Sequence, residues 1–409
     1  MIRSASFKYA VRSLLGHPMR SILSMAGIGV GCAIALFAKS YIGGEAEWQI
    51  RAVSESGAGH LSIVANGWLE KRENSLRLAD WERALATARS LPGVKAVTMR
   101  ARANGLRAFG NRMAGVEITG VDPEMESRSN RIVYKAKLEG RYLQPDDYDT
   151  VVIGGALARR LDVELDDDLY VTMAGREEIQ SAMLRIVGIL ETGSRDIDAS
   201  ICHVTLQDIE RMSGYAGPGE INILLTDYRM IEPDRKELAS SLSGSNTVIT
   251  WKESNPGIAA NVEGDTVFMN GLAGIIVIVV ALGIASAQLT TVLERRHEFA
   301  VISALGMKGR QVIIVVALEA VVVGVVGALV ALGLGGSAAY YLSTRGIDFG
   351  SLIGEGFGNV LFEPHMYGVF GPWLVWYALA ISVTATALVS VYPAWLATRV
   401  DPAEAMRKV

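Results

Sequence analysis

Side chains able to do chemistry are thinly spread through this 409-residue sequence, and their spacing excludes most catalytic designs. No G-x-x-x-x-G-K-[ST] occurs, and Gly never precedes Lys, so the chain has no phosphate-cradling loop of that kind. H-E-x-x-H, G-x-S-x-G and C-x-x-C are also absent. The histidines His17, His60, His203, His297 and His365 are scattered along the chain. His297-Glu298 is half of a zinc motif with nothing to complete it, and reads as surface. VELDDD at residues 163–168 concentrates four acids. A metal site is one reading, but a solvated turn fits better, because no glycine-spaced calcium loop surrounds it. Cys32 lies in an apolar run and Cys202 in a polar region, which argues against a disulfide between them.

Two charged features remain. Residues 294–310, ERRHEFAVISALGMKGR, lie between two long apolar runs and are amphipathic at a helical period. Phe299, Ile302, Leu305 and Gly306 fall near one face, and Arg295, Arg296, Glu298 and Lys308 surround it with charge. Amphipathicity alone fits an interfacial loop helix whose arginines only fix topology. The second feature is Glu319, the one acid of an otherwise apolar stretch, within two turns of its end. Pairing with Arg310, or with an arginine of residues 294–310, explains it better than a proton relay.

Composition says what must position these groups. The chain is 50% hydrophobic and 20% charged, with net charge -4 and mean hydropathy +0.28, too apolar for a typical soluble enzyme and too charged for membrane spans alone. Neither the charge nor any basic stripe points to nucleic acid. The sequence predicts a basic amphipathic segment over residues 1–20 and transmembrane helices over 21–44, 266–293, 311–342 and 367–395. The first is expected to be an uncleaved anchor. Gly27, Gly29 and Gly31 leave one side of it smooth for close packing. Residues 45–265 carry an acidic excess and alternate short strands with short helices, which predicts an α+β domain in two lobes, the second beginning near Glu139. Residues 343–366 read as a loop and 396–409 as a tail. Basic residues concentrate in 1–20, 294–310 and the tail, so those parts belong in the cytoplasm and the large domain outside.

Four stretches together resemble the MacB/FtsX-type permease subunits of ABC transporters, the type VII mechanotransmitters. They are YAVRSLLGHPMRSILSMAGIGVGCAIALF; LEGRYLQPDDYDTVVIGGALARRLDVELDDDLYV with LRIVGILETGSRDID; LERRHEFAVISALGMKGRQVIIVVALEA; and the closing VYPAWLATRVDPAEAMR. The layout, with VITWKESNPGI before the second span and GVEITGVDPEME, is most similar to the lipoprotein-releasing permeases LolC and LolE.

The resemblance implies a membrane α-helical fold of four spans, with a large extracytoplasmic, MacB-like α+β domain between helices 1 and 2. It implies a multi-pass protein of the bacterial inner membrane with both termini cytoplasmic. The chain itself would be non-catalytic and without cofactor, ATP and Mg being bound by a cytoplasmic ABC ATPase dimer. That dimer would dock on a coupling helix at residues 294–310, through Glu294, Arg295, Arg296, Glu298, Phe299, Ala304, Leu305, Gly306 and Met307. A second permease subunit, a copy or a paralogue, would pair with it in the membrane lipid. A lipoprotein substrate and a periplasmic carrier are further implied partners, with acyl chains meeting Leu36, Ile42, Val267 and Met269. MacB-like export of peptides or amphiphiles and FtsX-like control of a cell-wall hydrolase stay open as alternatives. A membrane-anchored enzyme would need a convergent catalytic cluster that the sequence lacks.

Overall fold

The computed structural model describes residues 18–109, 112–242, 244–295, 297–298, 301, 307–350 and 363–397. In chain order its main helices are α1 (Pro18–Val53), α2 (Trp81–Ser90), α3 (Gly155–Leu161), α4 (Leu206–Ser213), α5 (Ile231–Ser241) and α6 (Pro256–Glu294). They continue with α7 (Gly309–Ala331), α8 (Ser337–Arg345), α9 (Trp373–Val389) and α10 (Val391–Ala397). The chain divides into two compact units. A helical unit takes Met1–Glu45, Gly264–Ile347 and Tyr367–Val409, and a mixed unit takes Ala46–Glu263 and Asp348–Met366.

In the helical unit the backbone of each apolar run bonds to itself, as lipid requires. Four helices among the described residues are long and apolar enough to cross a membrane. Ile28, Cys32, Ala33, Ile284, Val323 and Ala331 form a shared core. Small residues set the spacing: a Cβ added at Gly29 would lie 2.5 Å from Val330, and one at Gly31 would lie 2.5 Å from Val280. Gly27 faces open space. Buried hydroxyls tie the unit together, Ser382 Oγ of α9 donating to the Gly324 carbonyl of α7 at 2.7 Å and Ser40 Oγ of α1 to that of Val369, before α9, at 2.9 Å.

α1 runs past the predicted residues 21–44, and α6 begins before residue 266. Apolar content marks only the part of a helix suited to lipid. The added turns are polar, and they persist because their inner faces find a partner: Ile50 and Val53 of α1 and Ala259 and Val262 of α6 pack on Trp251, which is 1% exposed.

The mixed unit is built on one sheet with the strand order β10-β1-β9-β2-β3-β8-β5-β7-β4, while β6 pairs with both β2 and β7. The strands are β1 (Leu61–Ala65), β2 (Val94–Phe109), β3 (Arg112–Val121), β4 (Lys137–Gly140), β5 (Thr150–Gly154), β6 (Asp168–Ala174), β7 (Ile179–Glu191), β8 (Cys202–Thr205), β9 (Glu220–Leu225) and β10 (Asn246–Thr250). Following the pairs β2-β3-β8-β5-β7-β6 leads back to β2, so six strands close into a ring. Alternate residues fill it: Ala101 and Ala103, Val151 and Ile153, Leu169, Val171 and Met173, Leu184 and Ile186, Cys202 and Val204. Leu157 and Leu161 of α3 and Ile209 and Met212 of α4 complete this core. A second core joins β1, β9 and the start of β2 to α2 and α5, through Ile63, Ile223, Val97, Leu85 and Leu238.

Two lobes are therefore present, but the chain does not pass between them near Glu139. The crossing is β2, whose first half pairs with β9 (Val94 to Arg100) and whose second half pairs with β6 (Gly105 to Ala108). Sixteen extended residues are long enough to serve both cores. Glu164, Asp166 and Asp167 lie in the turn before β6, with Asp167 accepting from the Glu164 amide at 2.7 Å, and Asp168, the first residue of β6, faces Arg185 at 3.1 Å. Cys32 and Cys202 are both buried and free.

Candidate coupling site

α6 ends at Glu294, and the next side chain turns inward. Arg295 is 5% exposed; its Nη1 donates to both carboxylate oxygens of Glu319 at 2.9 Å, and its Nε donates to Glu298 at 2.9 Å. The acid inside the third span is thus neutralised by the first residue after the second, an arrangement that holds the two charges out of water. The packing around it is apolar: Val292 of α6, Val312 and Val316 of α7 and Ala394 of α10 cluster, with Met307 against them. Lys308 starts α7, its amide capped by Gln311 Oε1 at 2.9 Å. The segment between the spans is fixed at both ends, while Glu298 keeps 46% of its side chain exposed. Arg296, Phe299, Ala304, Leu305 and Gly306 lie outside the described residues.

Of the four residues expected to meet acyl chains, Leu36 is fully buried among Ala339, Leu374 and Ala378, and Ile42 is also buried. Val267 is exposed and Met269 half-buried.

A charged cluster that sequence reading missed secures the end of α1 in the mixed unit. Trp48 Nε1 donates to the Glu363 carbonyl at 2.9 Å, and the Glu363 carboxylate faces Arg51 at 3.4 Å and Arg131 at 3.6 Å. In the π-helical turn after α1, Glu55 is buried and meets Lys95 at 2.7 Å and Arg131 at 3.4 Å. Deeper in, Arg100 pairs with Glu126, and Arg102 joins Glu117 and Glu220, each at 2.9 Å. Burial drives the carboxyls of Glu126 and Glu220 up, but the adjacent guanidiniums outweigh it and hold both below the usual carboxylate range. The available signal was two arginines at alternate positions in an apolar strand. Their partners are distant in sequence, so the signal led nowhere by itself.

Comparison with known proteins places this geometry in context. Residues 21–240 match the MacB-like periplasmic core domain, and residues 270–402 match the FtsX-like permease C-terminal domain. The chain is similar to the lipoprotein-releasing system transmembrane protein LolC of Xylella fastidiosa, 24% identical over 95% of this chain and 93% of that protein. It is also similar to an ABC transporter permease, YknZ, of Bacillus subtilis, 25% identical over 98% of each. The macrolide export ATP-binding/permease protein MacB of Campylobacter jejuni is 23% identical over 84% of this chain and 54% of its own length.

Proposed function

The chain belongs to the MacB/FtsX/LolC-type family of ABC transporter permeases, and from that premise we propose that it passes the motion of a separate ATPase to its mixed unit and so extracts lipoproteins from a bacterial inner membrane. A cytoplasmic ATPase dimer binds ATP and Mg and docks on residues 294–310. The mixed unit and residues 343–366 lie in the periplasm, both termini in the cytoplasm, and a second permease subunit completes the membrane part. The released lipoprotein passes to a periplasmic carrier.

The observation that carries this reading is the buried Arg295 between Glu298 and Glu319. A docking segment that merely floated at the interface would absorb a push. One whose arginine next to α6 is ion-paired into the following span passes the push on. At the far ends, Trp251 packs on both α1 and α6, the two helices that lead into the mixed unit.

The test is to isolate the chain from its native membrane in mild detergent and identify its companions by mass spectrometry. The expected result is a nucleotide-binding subunit, lost on Arg296→Glu or Glu298→Lys, together with acylated lipoprotein. Recovery with an adaptor and an outer-membrane channel in place of lipoprotein would replace extraction by export. Correct insertion with no nucleotide-binding subunit would overturn the coupling itself.

A further inference from the structure

A groove of about 1200 Å³ opens beside β4 in the mixed unit. Its walls bring together Lys135, Lys137, Arg159, Arg160 and Arg195 with only three carboxylates. Two of those are already engaged: Glu191 pairs with Arg159 at 2.8 Å, and Asp198 accepts from the Thr192 amide at 2.8 Å and hydroxyl at 2.7 Å. Lys135, Lys137, Arg160 and Arg195 have no carboxylate within ion-pair distance among the described residues. Four cations facing one groove repel each other, and an anion seated there relieves that repulsion.

The second observation is independent of charge. β4 ends the sheet: among the described residues it pairs with β7 alone, Lys137 opposite Glu191 and Gly140 opposite Gly188, and all four of its residues are exposed. An outer strand edge offers unpaired amide and carbonyl groups to an incoming strand. Leu138 and Tyr134 expose apolar surface beside it. On the other side of the Arg159–Glu191 pair a second groove is acidic, lined by Glu139, Asp162, Glu164 and Asp167, so the sign of the field sets where along β4 an acidic stretch can sit.

From edge and charge together, we infer that β4 and its basic groove receive an extended acidic peptide segment of a partner protein, added as a further strand. This binding does not depend on which substrate the permease handles. Backbone pairing supplies affinity, and the cations Lys137 and Arg160 select acidic side chains.

The test uses the full chain in nanodiscs of neutral phosphatidylcholine and a fluorescent decapeptide of alternating Glu and Thr, read by anisotropy. Binding is expected to weaken at least tenfold in Lys137→Glu/Arg160→Glu and to fall as salt rises. A peptide of the same sequence, N-methylated along one edge, is expected to bind the unaltered chain at least tenfold more weakly, a readout that needs no variant to fold. Equal binding of the N-methylated peptide would overturn strand addition, and equal binding by the charge variant would overturn the groove. Capture of phosphatidylglycerol vesicles through the same cations, without peptide binding, would assign the site to lipid headgroups instead. Dimerisation through β4 with no peptide binding would assign it to a second copy of this chain.

Discussion

Arg295 and Glu319 are each about 5% exposed; Glu319 is balanced by Arg295, while Arg295 is balanced by Glu319 and Glu298 together. Removing Arg295 leaves Glu319 buried and uncompensated, a loss of roughly 3–5 kcal/mol, whereas replacing both with apolar groups of similar volume is close to neutral. Arg295→Met is therefore expected to lower the thermal midpoint of the detergent-solubilised chain by several degrees, and Arg295→Met/Glu319→Leu to recover it. If the double variant is no more stable than the single one, the pair does not carry this energy. His60 provides a pH-dependent case. Its Nδ1 accepts from the Leu225 amide at 3.0 Å, and burial, opposed by Glu55, lowers its pKa from 6.5 to about 4. Between those values the unfolded chain binds a proton that the folded chain does not. The contribution of His60, up to roughly 3 kcal/mol, is complete above pH 6.5 and is lost as pH falls toward 4. Protection of the β1 and β9 amides, taken as exchange relative to its intrinsic rate at each pH, should fall over that range, and much less in His60→Asn. At this scale the sequence revealed the anomaly but not its resolution. An acid in an apolar run is visible by eye, yet several arginines lie within reach of Glu319, and only the turn after α6 selects Arg295.

Elements were easier to read than residues where the period was local. The runs VKAVTMRARANGLRAF at 94–109 and AGVEITGVD at 114–122, parted by Gly110-Asn111, are legible as strands and match β2 and β3 almost to the residue, and the four spans follow from length and polarity. Closure of the ring was hidden, because β6 joins β2 from a distant part of the sequence, and no turn residue records such a contact. The glycines of α1 divide in the same way: the pattern showed that they are small, but not which of them touch. Gly29→Leu should disrupt the packing on Val330 and cost about 1–3 kcal/mol, whereas Gly27→Leu, which meets open space, should be tolerated. Thermal unfolding of the two variants side by side checks this, and equal behaviour would place the contact surface elsewhere on the helix.

For the whole molecule, the question is what connects the spans to the mixed unit, and Trp251 is the side chain common to the ends of α1 and α6 there. Trp251→Ala should cost about 3–5 kcal/mol locally. Under the proposed function it should also separate two activities, ATP hydrolysis by a reconstituted partner continuing while substrate release falls. Parallel loss of both would mean that the variant has simply unfolded. The ring of six strands bears on the same transfer. An open sheet under tension yields at its outermost strand, peeling one hydrogen bond at a time, but a closed circuit has no outermost strand. The chain enters this ring along β2 and leaves it toward β9, and those two strands lie side by side in antiparallel register. Val94 lies opposite Leu225 and Arg100 opposite Glu220, so both connections meet the ring at one end of a single antiparallel pair, and the closed circuit answers load there by turning as one piece.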